Sequence, residues 1–168
     1  MNGFVGWLRD FVELHERARA GKLLQRDQPA YEAGCRRLAR ALVELQRAST
    51  PPGRPVREKV RASRALFVDL ELPGGTQRTT TRTLSKGGFS AFLGRAPERD
   101  REIAVTLHLP RGDVVRGAAR VVDVRPRGIE QLASFAFVGL PEPVAAELEI
   151  VAIDSVLTQL TRGPWPVF

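Results

Sequence analysis

The sequence predicts an α+β chain: two amphipathic helices, six short antiparallel strands forming a sandwich or small barrel, and one closing helix. Two observations predict it. The apolar period changes from three-and-four to two across the breaker cluster Ala48-Ser49-Thr50-Pro51-Pro52-Gly53-Arg54-Pro55. Beyond that cluster, turn signals recur roughly every ten residues.

Residues 4–20 read as the first helix, because Phe4, Trp7, Phe11, Leu14 and Ala18 step by three and four while Val5, Leu8 and Val12 widen the face. Gly21 is placed to end it. The second helix begins near Asp27, with Pro29 in a first turn that needs no N–H. Its apolar residues Tyr31, Cys35, Leu38, Leu42 and Leu45 form a narrow seam. Such an αα-hairpin has too little core to stand alone and must pack on the rest of the chain or on a second copy.

The strands read as Leu66–Leu72, Gln77–Leu84, Phe89–Leu93, Ile103–Leu109, Val114–Val124 and Leu132–Val138. The breaks between them carry Pro73-Gly74-Gly75, Gly87-Gly88, Ala96-Pro97-Glu98, Pro110-Arg111-Gly112-Asp113 and Pro126-Arg127-Gly128. Pro141 to Thr161 reads as the closing helix, with Leu148, Val151, Ile153, Leu157 and Leu160 apolar. The expected units are therefore a hairpin at 1–50, a basic arm at 51–64, a β domain at 65–140 and a helix with its tail at 141–168.

The formal charge of +7 favours an anionic partner. It is concentrated: between Arg54 and Gly88 eight basic residues face three acidic ones. The single Cys35 rules out an internal disulfide and suits a reducing, cytoplasmic setting. No signal peptide is read at the start, and no apolar run approaches the ~20 residues of a membrane span. His15 and His108 lack the companions of a metal site and read as structural. No nucleophile–base pair, paired carboxylate or phosphate loop stands out, so no catalytic residue, metal or cofactor is expected and the chain is not read as an enzyme.

The densest signal is Thr83-Leu84-Ser85-Lys86-Gly87-Gly88-Phe89, a Ser/Gly turn between two strands. Upstream lies Gly53-Arg54-Pro55-Val56-Arg57-Glu58-Lys59-Val60-Arg61-Ala62-Ser63-Arg64. Arg-x-x-x-Arg occurs five times in the chain, but only the pair Arg57/Arg61 lies in a linker just ahead of a strand and this turn. The combination resembles the PilZ domain, a small β-barrel that senses cyclic di-GMP, over roughly residues 57 to 140. The resemblance implies a six-stranded antiparallel barrel, with the N-terminal hairpin as an addition. It implies a ligand site of Arg57, Arg61, Thr83, Ser85 and Gly88, with Arg64, Arg82 and Gly87 as further candidates.

The chemistry of that set fits a cyclic dinucleotide. Guanidinium forks bind phosphate oxygens or guanine O6 and N7, and stack on bases. A mobile arm can wrap such a ligand as it orders. Ser85 would bond a base or phosphate, and Gly88 would keep the floor free of a Cβ. Thr83 departs from the family's Asp or Asn, and one hydroxyl offers less to a guanine edge than paired acceptors do. Arg78 and Arg82 share one strand face and read chiefly as exposed strand residues.

The expected function is a cyclic di-GMP effector that transmits the signal to a downstream protein as the arm orders. The alternative is a degenerate module that binds no nucleotide and acts by protein–protein contact. Nucleic acid is the poorer partner, because no strand displays the stacking aromatics such barrels use. A homodimer through residues 4–46 is also expected, from the apolar surface of the hairpin.

Overall fold

The structure, a computed structural model, describes residues 2–49 and 58–162. Helix α1 spans Asn2–Arg19 and α2 spans Gln28–Ala48, after one 3-10 turn at Gln25–Asp27. Gly21, at φ 68, reverses the chain after α1 and donates its amide to the Ala18 carbonyl. Tyr31, Leu38 and Leu42 are buried as the seam predicts, and Cys35 is half-buried. Leu45 is not part of that seam; it is 57% exposed, while Val43 and Gln46 face inward. The reason is that α2 touches both α1 and the closing helix, so its buried arc is broader than one seam and turned from it. Gly34 admits Phe11 so closely that a Cβ there would lie 2.4 Å from the ring.

Seven strands follow: β1 (Ala62–Ser63), β2 (Phe67–Leu72), β3 (Gly75–Ser85), β4 (Gly88–Leu93), β5 (Glu102–His108), β6 (Val114–Arg127) and β7 (Glu130–Val138), then α3 (Glu142–Arg162). Every pairing is antiparallel. The order β2-β5-β6-β7-β4-β3, with β3 returning to β2, closes a six-stranded barrel. Closure removes the open edges that a small sheet would expose. The fold is thus the predicted barrel with its hairpin and closing helix.

Two local features differ from the expectation. Pro126 and Arg127 belong to β6, paired with Gln131 and Glu130, and the turn is Gly128-Ile129 with Gly128 at φ 64. A two-residue turn with glycine first suits the strand twist, and β5 leaves β6 at the Glu102–Arg120 pair, so no strand on that edge needs a proline N–H. The second feature is β1, which extends the ladder on β3 past the point where β2 leaves it. Between β1 and β2, Thr81 supplies the missing bonds: its hydroxyl donates to the Arg64 carbonyl and accepts from the Leu66 amide.

The apolar side chains form two clusters. One fills the barrel, with Leu70, Leu84, Phe89, Leu107 and Phe135 at its centre and Leu148 of α3 added to it. The other joins Phe11, Tyr31, Leu38 and Leu42 of the hairpin to Ala152, Ile153, Val156 and Leu157 of α3, and includes Val60 and Ala62. Helix α3 therefore mortars the hairpin to the barrel, and the end of the basic arm is built into that joint. No helix among the described residues is long and apolar enough to cross a membrane.

Candidate functional site

Arg57 lies outside the described residues; Arg61 and the rest of the arm from residue 58 lie within them. Strand β1 lays this part of the arm on the Ser/Gly motif. Ala62 pairs with Leu84 and Ser63 with Thr83, so Arg61 comes next along the edge, level with Ser85. Lys59 covers the turn itself: a Cβ on Gly87 would sit 2.8 Å from both Cδ and Nζ of that lysine. The other edge of the arm is held by side chains. Gln46 Nε2 donates to the Arg61 carbonyl at 2.7 Å, and Ser155 Oγ donates to the Ser63 carbonyl at 2.7 Å.

Residues 60–63 are thus held between β3 and the helices. Val60 and Ala62 are buried among the helices, alternating with Lys59, Arg61 and Ser63. That alternation is a strand signal, masked in the sequence by the basic residues between the apolar ones.

The motif hydroxyls have internal partners. Thr83 Oγ1 lies 2.7 Å from Ser90 Oγ, and buried Ser85 donates to the Gly88 carbonyl at 3.1 Å. A hydroxyl that donates once still has lone pairs for a ligand. Gly88 has a packing reason to be glycine: a Cβ there would lie 2.0 Å from the Phe135 carbonyl oxygen, so the close approach of β7 requires it.

The further candidates separate. Gly87 lies at the site, under Lys59. Arg82 is exposed beside a bulge in the β3–β4 ladder, and its carbonyl accepts from Ser63 Oγ. Arg64 turns away from the motif towards Asp154, with Nη1 at 4.0 Å from Oδ2 and a buried Nε lacking a hydrogen-bond partner. Lys86, inside the turn, is tied to Glu149 of α3 at 3.1 Å. Arg78 makes two hydrogen bonds to Asp69, which also lies 2.7 Å from His108 Nε2. This trio occupies the outer barrel face.

Sequence reasoning missed a polar network between the helices. Buried His15 reaches Tyr31 Oη through Nδ1 and Asp154 Oδ1 through Nε2, each at 3.1 Å, and Arg19 also bonds Asp154. The His15 hydrogen bond, aided by the charges of Arg19 and Arg64, holds the Asp154 carboxyl below the usual carboxylate range against its partial burial. Burial pushes the Tyr31 hydroxyl well above the usual phenol range, so it stays neutral. A carboxyl with a depressed folded-state pKa stabilises the protein above its unfolded value, and that stability is lost as pH falls through the folded value. Denaturation between pH 7 and pH 2 should therefore show an acid limb that Asp154→Asn flattens, while the variant is less stable near neutrality. Asp69, lowered by Arg78 and His108, contributes to the same limb. An unchanged acid slope in the variant would remove Asp154 from this role.

A cavity of about 480 Å³ opens beside this network, between the helices and the β5–β6 turn, with Arg19, Arg64, Arg111, Glu147 and Asp154 among its lining residues. Arg19 is paired with Asp154, and Arg111 caps the C-terminal carbonyls of α1, so these cations are already engaged.

A PilZ domain family model matches residues 55–152, from the arm through the barrel into α3, and leaves the hairpin outside. No curated protein matches the chain by sequence. Among solved structures, the fold is similar to the inhibitor of motility MotI/DgrA of Bacillus subtilis, with TM-score 0.56 and 18% identity over 68% of this chain and 58% of that one. It is also similar to the PilZ domain of YcgR from Escherichia coli with c-di-GMP, with TM-score 0.55 and 19% identity over 64% of this chain and 97% of that one. The MrkH–c-di-GMP complex of K. pneumonia gives TM-score 0.58 and 14% identity, over 66% of this chain and 57% of that one. At these identities the likeness is one of fold. The chain spans less than two thirds of the length of MotI/DgrA and of MrkH.

Proposed function

This chain belongs to the PilZ domain family, and from that membership we propose that it is a cyclic di-GMP receptor and not an enzyme. The ligand would lie between the arm and the β3–β4 turn. The observation that carries the reading is the β1 register, which sets Arg61 level with Ser85 while Lys59 covers Gly87. Arg57 and Arg61 supply the guanidinium forks, and Lys59 adds a cation that the sequence motif did not select. Its flexible side chain can swing from Gly87 to a phosphate. Calorimetric titration of the wild-type chain and of Arg61→Ala with cyclic di-GMP tests this reading.

The second reading, a module that acts by protein contact alone, is favoured by one observation. Thr83, Ser85 and Gly88 all have structural partners in the barrel's own strands. Thr83→Asp separates the two readings. Its carboxylate can accept from Ser90 with one oxygen and offer the other to a guanine edge, so nucleotide affinity should rise by about tenfold. A receptor whose affinity is unchanged or lower in this variant does not use position 83 for the base.

In the receptor reading the chain is cytoplasmic, and its output passes to a downstream protein through the helices that grip the arm. A homodimer through residues 4–46 would rest on Leu24 and Leu45, the large apolar side chains that the described hairpin leaves exposed. Sedimentation over a range of protein concentrations distinguishes it from a monomer.

A further inference from the structure

Gln46 lies in α2, outside the segment that the family model matches. We propose that it is a positioning residue for the nucleotide site, fixing the register in which the arm presents Arg61; this rests on the receptor reading above. Its side chain is 1% exposed. Its Nε2 donates to the Arg61 carbonyl at 2.7 Å, and its Oε1 accepts from the Arg61 amide at 3.4 Å. One primary amide thus serves both backbone groups of one residue, as a neighbouring strand would.

The barrel alone gives the arm little register. Strand β1 is two residues long. A slip of one residue in a strand exchanges its two faces. Here it would carry Val60 and Ala62 out of the helical core and turn Arg61 into it. Gln46 opposes that slip from α2, and Ser155 and Gln159 of α3 oppose it two residues further along, at the Ser63 carbonyl. The hairpin added to the domain is therefore part of the ligand site, acting through the arm's backbone without touching the ligand.

The test uses the full chain and Gln46→Met, which keeps side-chain length and removes both hydrogen bonds. Cyclic di-GMP affinity is measured by calorimetry, and exchange of the Arg61 amide is followed without nucleotide. The variant should bind about tenfold more weakly and exchange that amide faster. Arg61→Ala should add less to the loss in the Gln46→Met background than in the wild type, because the two act on one element. Asp69→Ala is the control for general damage: it breaks the trio with Arg78 and His108 on the outer barrel face, away from the arm, and should keep the wild-type affinity. Equal binding by wild type and Gln46→Met overturns the proposal, as does an equal loss in Asp69→Ala or unchanged exchange at Arg61. Silence of the wild type itself is a different result: it removes the receptor reading, and the nucleotide role of Gln46 with it.

Discussion

Gly88→Ala should cost the barrel about 3 kcal/mol or more, at the upper end of what overpacking does. The added Cβ would meet the Phe135 carbonyl oxygen at 2.0 Å and the Phe135 carbonyl carbon and Ala136 Cα at 3.0 Å. These are backbone atoms of the strand paired with β4, so they cannot rotate away as a side chain would. Relief requires β4 and β7 to separate at the Gly88–Ala136 pair, which loosens the closure of the barrel. For a chain of this size the melting temperature should fall by roughly 2–4 °C per kcal/mol, read by circular dichroism. Gly87→Ala is the contrast. Its Cβ meets only the flexible end of Lys59, so its melting temperature should move little. Equal stability in Gly88→Ala and wild type would show that the β4–β7 approach is looser than described.

Arg61→Ala should weaken cyclic di-GMP binding by about one to two decades, because a charge-assisted hydrogen bond is worth roughly 1.5–3 kcal/mol. Its effect on the nucleotide-free protein should stay under about 1 kcal/mol. Contacts that place the arm include those to the Arg61 and Ser63 backbone and to the side chains of Val60 and Ala62, which the substitution leaves in place. This combination of a large binding loss and a small stability loss marks a ligand contact. A melting temperature that falls as steeply as the affinity would make Arg61 a structural residue instead.

The barrel was legible in the sequence because each strand carries its own period and its own stop. Val68 and Leu70 alternate into the core with Phe67 and Asp69 outside, and Gly and Pro mark most of the breaks. The Pro126 break was misplaced because proline reads as a stop in sequence, whereas on the edge of β6 beyond the end of β5 its missing N–H goes unneeded. The motif was legible as types and order, and Arg61 and Ser85 do come level. The reason for Gly88 was not legible, since the Phe135 carbonyl lies 47 positions away in the chain and only the closed barrel brings it near. Gln46 was hidden for a similar reason. One glutamine on a polar helix carries no local sign that it will face a strand from a different unit. The His15–Asp154 pair, from the first and last helices, is of the same kind.

The most direct test of the account is a calorimetric titration of the wild-type chain with cyclic di-GMP, beside Arg61→Ala. The wild type should bind saturably, with a dissociation constant on the order of micromolar, and the variant should lose about one to two decades. No binding by the wild type at nucleotide concentrations about a hundredfold higher would contradict it, and would leave a PilZ barrel that works through protein contact alone.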